Sequence, residues 1–471
     1  MENTKSDLGM VGLGVMGRNL VLNMADHGYA VSGYDKDPAK VQALRIEGNN
    51  KKVFGANNLE EFIASLRPPR VVMMLVPAGP PVDAVIRDVL PYLQSGDLII
   101  DGGNSHFKDT DLRQNMLAEK GMQFQGVGIS GGEYGARHGP SLMPGGPVES
   151  YARVSPIFEA VAAQVEGSPC VAYLGPGSAG HYVKMVHNGI EYGLMQLIAE
   201  TYDLMKRGLG LTDDELHEVY LDWNQGELNA YLLEITANIF CEEDAKTGKR
   251  LIDVILDEAT QKGTGMWTSQ DAMDLQVPAP TIDTAVAMRN LTILKDERTA
   301  ASKLLGQPGA NFQGQRAAFI SQLRSAFYAA MIITFAQGMA DLRVASKAYA
   351  YNLDLETVAR IWRGGCIIRA GLLNNIRSAF QKQPNLANLL LHPDLGKKVL
   401  DLRGDLLEVI TTAPKLGIPC PGLMACLAYF DGYRSAWLPA NLIQAQRDYF
   451  GAHTYERIDD KGVFHTQWEE S

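Results

Sequence analysis

The sequence predicts an α/β Rossmann-type, doubly wound sheet followed by a large all-α domain and a C-terminal tail. Three observations carry this. Short β-branched runs alternate with amphipathic segments through the first third, which implies parallel strands joined by helices. A glycine-rich loop joins the first run to the first segment. After Gly175-Pro176-Gly177 the strand signals give way to stretches rich in Ala, Leu and Met. The divisions drawn are 1–177 for the sheet domain, 178–438 for the helical domain and 439–471 for the tail.

Leu8–Val11, Ala30–Tyr34, Val71–Val76 and Leu98–Asp101 read as buried strands. Met16–His27, Asp37–Glu47, Leu59–Leu66 and Val82–Leu90 have helical spacing between them. Gln123–Val127 and Cys170–Leu174 read as further strands of the same sheet. Ser178 is placed to cap a long helix running to about Lys206, which Gly208 and Gly210 terminate. Further on, Trp223-Asn-Gln-Gly226 and Trp362-Arg-Gly-Gly365 share spacing at an offset of 139, each followed by a similar amphipathic run ending at Phe240 or Phe380. Duplication of a helical bundle and chance likeness of two helix pairs both account for this. The last thirty or so residues, with Pro439, Gly451 and Gly462, read as an extended tail that docks on a partner or stays disordered.

Of the 471 residues, 46% are hydrophobic and 21% charged, the balance of a folded globular chain. The formal charge of −11 disfavours nucleic acid and anionic membranes as partners. It also requires that any anionic small molecule be held by a local group of cations. Five scattered cysteines, none in a CxxC pair, indicate neither a disulfide framework nor a zinc site, and no metal is expected. The longest apolar runs, such as Val71–Pro77, are too short to span a bilayer, and the polar N-terminus lacks a secretion signal. The C-terminus, Trp468-Glu469-Glu470-Ser471, carries no lipidation or retention motif, and a cytoplasmic location is expected.

Gly12-Leu13-Gly14-Val15-Met16-Gly17 follows a predicted strand and opens a predicted helix, the context in which GxGxxG binds a dinucleotide. Gly12 allows the tight turn, Gly14 the approach of a pyrophosphate, and Gly17 close packing of helix on strand. The second strand ends at Asp35-Lys36-Asp37. Asp35 lies 23 positions past Gly12, where a carboxylate accepts hydrogen bonds from the adenosine ribose and repels a 2′-phosphate, which mildly favours NAD over NADP. Lys36 softens that preference, and an exposed turn is the alternative role for Asp35.

Asp101-Gly-Gly-Asn104-Ser105 and Ser130-Gly131-Gly132-Glu133 follow the fourth and fifth strands, at the sheet edge where ligands bind. They are tight turns, or loops whose bare amides cradle a carboxylate. On the next predicted helix, Lys184, His187, Asn188 and Glu191 fall at i, i+3, i+4 and i+7 among the apolar Val183, Met185, Val186 and Ile190. Burying such a stripe is costly unless its members act together. A desolvated lysine serves as a base and a desolvated carboxyl as an acid; an exposed Lys–Glu pair is the bland alternative. Lys262, Arg289, Arg447 and His453 are the scattered cations available for an anionic end of a ligand.

Taken together, the Gly12–Gly17 loop, Asp101–Ser105, Ser130–Glu133, Lys184-Met-Val-His-Asn-Gly-Ile-Glu-Tyr192, Gln261-Lys-Gly-Thr-Gly265 and Arg447-Asp-Tyr-Phe-Gly-Ala-His453 resemble the 6-phosphogluconate dehydrogenases through nearly the whole chain. The resemblance implies oxidation of 6-phosphogluconate at C3 and loss of carbon dioxide, giving ribulose 5-phosphate in the pentose phosphate pathway without a metal. It implies Lys184 as general base and Glu191 as the acid that protonates C1. It places Asn104, Ser130, Gly131, Gly132, His187 and Asn188 on the carboxylate and hydroxyls. Tyr192, Lys262, Thr264, Arg289, Arg447 and His453 would hold the phosphate end. Residues 12–17, 35–37, Val76-Pro77-Ala78 and Asn104 would hold NAD or NADP, and a homodimer would exchange tails so that Arg447 and His453 reach the partner's site. NADP-using members commonly read Asn-Arg-Thr at positions 35–37 and often carry lysine at Pro77; both departures weaken 2′-phosphate binding. Met266 replaces a frequent lysine. Rival readings are another β-hydroxyacid dehydrogenase or a non-catalytic nucleotide sensor on the same fold.

Overall fold

The computed structural model describes residues 5–306, 309 and 311–468; residues 1–4 and 469–471, within the termini read above for targeting signals, lie outside it. Seven strands form one sheet: β1 Leu8–Val11, β2 Val31–Tyr34, β3 Val53–Gly55, β4 Val71–Met74, β5 Leu98–Asp101, β6 Gln123–Ser130 and β7 Ser141–Gly145. Their order is β3-β2-β1-β4-β5-β6-β7. The first six pair in parallel and β7 runs antiparallel to β6. Helices cover both faces, so the central strands are apolar on both sides and two separate cores result.

Two strands of this sheet escaped the sequence reading, as did a two-stranded ribbon at Gln164–Val165 and Ser168–Pro169. β3 is only three residues long and partly exposed. β7, Ser-Leu-Met-Pro-Gly, has no β-branched residue. Conversely, Cys170–Leu174 is not a strand. It makes one isolated bridge, Val171 to Leu142, and two flanking bonds, Leu142 N–H to Cys170 O at 3.0 Å and Leu174 N–H to Pro144 O at 2.9 Å. Pro144 has no N–H to return, so the ladder stops there.

The helical domain is built around the 33-residue helix Arg316–Ala348, which packs on Pro393–Lys415 and Ala179–Asp203. Its hydropathy and length alone would suit a bilayer, unlike the short runs noted above, but 67% of its apolar window is buried against these neighbours, so it reads as a core helix. The two segments offset by 139 meet. Trp223 and Trp362 are both buried, and Ala230 pairs antiparallel with Ala370 through Tyr231 N–H to Arg369 O at 3.1 Å and Gly371 N–H to Asn229 O at 2.8 Å. Ala230 and Ala370 each precede the first of the similar helices, so the pairing joins corresponding positions.

Ser178 precedes the helix Ala179–Asp203 but does not cap it with its side chain. Its hydroxyl donates to Asp111 at 2.8 Å, on the sheet-domain helix Phe107–Ala118, and meets Tyr351 Oη at 2.7 Å, tying the two domains together. A π-helical turn, Leu204–Gly208, ends the helix.

Behind the helix Ala179–Asp203, Tyr182 and Tyr349 both donate to Asp271, at 2.7 and 2.8 Å, and Asp341 lies wholly buried beside them. Burial first, then the nearby Asp271 and Asp283 carboxylates, push Asp341 up to about 8. The folded protein therefore retains a proton that the unfolded chain releases near 3.8. The stability this confers is complete below that value and is lost as pH rises through about 8. Asp341→Asn should flatten the decline of the urea midpoint between roughly pH 5 and 9, leaving the variant relatively more stable at the alkaline end. Parallel pH profiles for the two proteins would refute this.

The tail is not extended. Ala440–Gly451 forms a helix, because Pro439 and Gly451 bracket it as a start and a stop. Beyond it the chain folds back on Asp448, whose carboxylate accepts from Thr454 N–H, Thr466 N–H, His465 and Trp468 at 2.8–3.0 Å. Although burial opposes it, those bonds hold Asp448 down at about 2. Leu442, Ile443, Tyr449 and Phe450 stand exposed on this helix.

Candidate active site

The glycine loop leaves β1 as expected from its residues. Gly12 has φ +94°, and a Cβ there would lie 2.5 Å from the Leu75 carbonyl; one on Gly17 would lie 1.9 Å from the Gly12 carbonyl. A Cβ on Gly14 would meet nothing within 4 Å, so the space before the first turn of the helix Val15–Asp26 is open. Gly14 caps that helix without a side chain, leaving its first N–H groups for an anion. This is the fit a pyrophosphate requires.

Beside the loop, Gly12, Gly14, Asp35, Lys36, Val76 and Pro77 line a groove of about 340 Å³. Its far wall of Leu59, Pro81, Ala84, Val85 and Val89 was not singled out from sequence, where it reads only as helix faces. Asp35 accepts from Leu13 N–H at 2.8 Å and from Asp37 N–H at 2.9 Å. Lys36 pairs with Asp88 at 2.9 Å, while Asp37 caps the helix Pro38–Glu47 through Ala39 N–H. The Leu13 and Met16 side chains pack into the core, Val15 is half exposed, and Ala78 continues the loop after β4.

Helix Ala179–Asp203 crosses β6 so closely that a Cβ on Gly128 would sit 2.4 Å from Lys184 Cβ. That approach brings the polar stripe to the carboxyl end of the strand, beside Ser130. Lys184 Nζ donates to Asn188 Oδ1 at 2.8 Å, and Asn188 Nδ2 donates to Thr264 Oγ1 at 3.0 Å. His187 Nδ1 lies 3.0 Å from Asn188 Oδ1 and 3.7 Å from Glu191 Oε2, while Nε2 faces Ser130 Oγ at 3.1 Å and Cys366 Sγ at 2.7 Å. Lys184, His187 and Asn188 are buried and the Glu191 side chain is 21% exposed.

Burial lowers Lys184 from its usual 10.5, opposed by the Glu191 charge. Burial and the Lys184 charge drive His187 well below 6.5, so its ring is neutral. Burial raises Glu191, against the Lys184 and Arg289 charges. The face therefore carries side by side an amine that gives up its proton more readily and a carboxyl that keeps its proton longer than usual, the condition for moving protons in both directions.

Tyr192 continues the stripe, with the Arg289 guanidinium stacked 3.4 Å from its ring centroid. Gly131 and Gly132 take φ +122° and +61°, and Asn104 is exposed at the end of β5. Lys262 is exposed in the loop before Thr264. Arg447 bonds Gln444 and His453 packs on Phe450, both within the exposed tail, so the single chain does not bring them to the Lys184 cluster. Cys366 was not singled out: it lies 179 positions from His187, and only the Trp362-Arg-Gly-Gly turn before it stood out. His181 was passed over as a site-helix residue. It is buried, bonded to Thr110 at 2.6 Å and to the Asp101 carbonyl at 3.1 Å, and it locks the helix to the sheet. Among the described residues no group of three or more His, Cys, Asp or Glu is gathered to hold a metal ion.

A dinucleotide loop on a doubly wound sheet, with a buried lysine and glutamate on one helix face at the strand ends, marks the class of nicotinamide-dependent dehydrogenases of hydroxy acids. Comparison narrows the class. The family model described as the NAD binding domain of 6-phosphogluconate dehydrogenase matches residues 7–175, and that of the enzyme's C-terminal domain matches residues 180–468. The chain is 50% identical over 466 residues to the NADP(+)-dependent, decarboxylating 6-phosphogluconate dehydrogenase of Bacillus subtilis, covering 99% of each. It is 52% identical over 464 residues to the decarboxylating enzyme of Synechococcus elongatus, covering 98% of each. The solved Plasmodium falciparum 6-phosphogluconate dehydrogenase superposes with TM-score 0.94 at 42% identity, covering 98% of this chain and 100% of that one. The chain belongs to the 6-phosphogluconate dehydrogenase family.

Proposed function

We propose that this chain converts 6-phosphogluconate to ribulose 5-phosphate and carbon dioxide while reducing NAD(P), with Lys184 as general base and Glu191 as general acid. The buried Lys184–His187–Asn188–Glu191 face at the end of β6 carries this reading. NAD(P), when bound, accepts the hydride from C3. Lys184 takes the C3 hydroxyl proton and returns it to the oxygen as carbon dioxide leaves, and Glu191 then protonates C1. Ser130, Gly131, Gly132, His187, Asn188 and Asn104 hold the carboxylate and hydroxyls. Thr264, Lys262, Tyr192 and Arg289 take the phosphate end. Supplying 6-phosphogluconate with each cofactor, while following nicotinamide absorbance and carbon dioxide, tests the whole reading. No turnover with either cofactor defeats it; turnover of 3-hydroxyisobutyrate instead would move the chain to a sister activity.

Cofactor choice rests on the Asp35 loop. Its carboxylate lines the groove where a ribose would lie; Lys36 is engaged by Asp88, and Lys40, also lining the groove, lies 3.6 Å from Asp35. That arrangement favours NAD, although the Bacillus subtilis relative is named for NADP(+). Asp35→Asn should raise the NADP-to-NAD ratio of kcat/KM by about tenfold, the worth of one removed like-charge contact. An unaltered ratio places the discrimination elsewhere.

The domain divisions, the cytoplasmic location and the homodimer belong to the same proposal. The exposed apolar face of the tail helix supports a tail that docks on a partner and delivers Arg447 and His453 to its phosphate site. Mixing inactive Lys184→Met and Arg447→Ala chains, unfolded and refolded together, should restore about a quarter of the activity through sites that draw body and tail from different chains. No recovery in verified mixed dimers would show that each tail serves its own chain.

A further inference from the structure

His187 is neutral, so its ring carries one proton, and the surrounding bonds determine where. Asn188 is oriented by its two other partners: Oδ1 accepts from Lys184 Nζ, and Nδ2 donates to Thr264. The atom that Asn188 turns to His187 Nδ1, at 3.0 Å, is therefore an acceptor; Lys184 Nζ also lies 3.4 Å from Nδ1 but gives its shorter bond, 2.8 Å, to Asn188, so Nδ1 holds the proton. Nε2 is then an acceptor. Two hydroxyl or thiol donors face it, Ser130 Oγ at 3.1 Å and Cys366 Sγ at 2.7 Å.

One donor suffices for one lone pair, and the two are not equivalent. Ser130 lies on the glycine loop assigned above to the sugar acid, and its oxygen already accepts from Ile367 N–H at 3.2 Å. Cys366 is completely buried and is itself assigned no substrate contact, although Ser130 and Gly131 of the substrate loop pack on the turn that carries it. Burial first of all pushes the thiol up to about 11, so it keeps its proton at neutral pH and remains a donor. The turn that presents it is fixed: Gly365 takes φ +59°, and its carbonyl accepts from Ser141 N–H at 2.7 Å.

We infer that Cys366 is a positioning residue: its S–H holds Nε2 of His187, keeping the ring in the Nδ1–H form while the Ser130 hydroxyl turns away to bind the sugar acid. This rests on the reading of Ser130 and His187 as substrate contacts. Without the thiol, Ser130 must satisfy either His187 or the substrate, and binding weakens.

Cys366→Ala and Cys366→Ser, similar in volume and differing in the donor, test this. Cys366→Ala should raise KM for 6-phosphogluconate about tenfold with kcat within about twofold, the effect of one lost hydrogen bond in a buried site. Cys366→Ser, which retains an O–H, should restore KM to within about threefold of the parent. Nitrogen-15 imidazole spectra of the binary complex with 6-phosphogluconate, which cannot turn over, should show His187 as Nδ1–H in the parent and Cys366→Ser but a mixture of tautomers in Cys366→Ala. Equal KM values and one tautomer in all three proteins overturn the proposal. So does an equal loss in both variants, since the thiol would then matter only for its volume. Failure of the underlying catalytic reading would appear separately, as turnover in Lys184→Met.

Discussion

Lys184→Met should lower kcat by roughly a thousandfold or more while leaving cofactor affinity within about twofold. Methionine matches the length of the lysine stem and suits the buried setting, so the substitution removes the amine without opening a large cavity. What disappears is the proton acceptor, a group lowered from 10.5 by desolvation and thereby able to act as a base nearer neutrality. The dinucleotide groove lies around Gly12 and Asp35, with no part of it lined by Lys184. Stopped-flow absorbance of reduced nicotinamide and a cofactor titration separate the two effects. In the parent enzyme, kcat/KM should rise with pH along a limb set below 10.5, and that limb should vanish in the variant's residual rate. Turnover within tenfold of the parent would remove Lys184 from the chemistry.

Glu191→Gln should slow steady-state turnover by roughly a hundredfold or more. Its carboxyl is raised by burial against the pull of Lys184 and Arg289, so a protonated fraction persists at higher pH than for a free glutamate. Glutamine preserves the shape and removes the transferable proton. Since the proposed mechanism gives the C3 hydroxyl to Lys184 alone, the oxidative half should survive. The expected trace is a burst of nicotinamide reduction followed by a slow phase limited by protonation at C1. A uniform loss without a burst would assign Glu191 to the first step.

How much of this was legible in the chain depended on distance along it. The loop Gly12–Gly17 and the stripe Lys184–Glu191 are local patterns, set by helical period and turn geometry, and they sit where those periods imply. β3 and β7 lacked a local signal, being short or carrying Pro144; β3 forms as an edge strand on β2, and β7 because β6 and the site helix cover it. Cys170–Leu174 carried a strand pattern but met a partner with no proton to give. Cys366 and Asp341 were illegible for another reason: their meaning lies in His187 and Asp271, far away in sequence. Likewise the helical tail was misread because Pro439 and Gly451 mark the ends of a helix as readily as the bends of a loop.

Asp448 gives that tail a property a loose string would lack. With four donors converging on one carboxylate, the closing segment keeps its contour before it meets anything else. Docking such a preshaped hook forfeits less disorder than folding a slack strand onto a neighbour, so more of the gross contact energy survives as affinity. Assembly should therefore tolerate dilution and mild acidity, because the knot of bonds loosens only as pH approaches about 2.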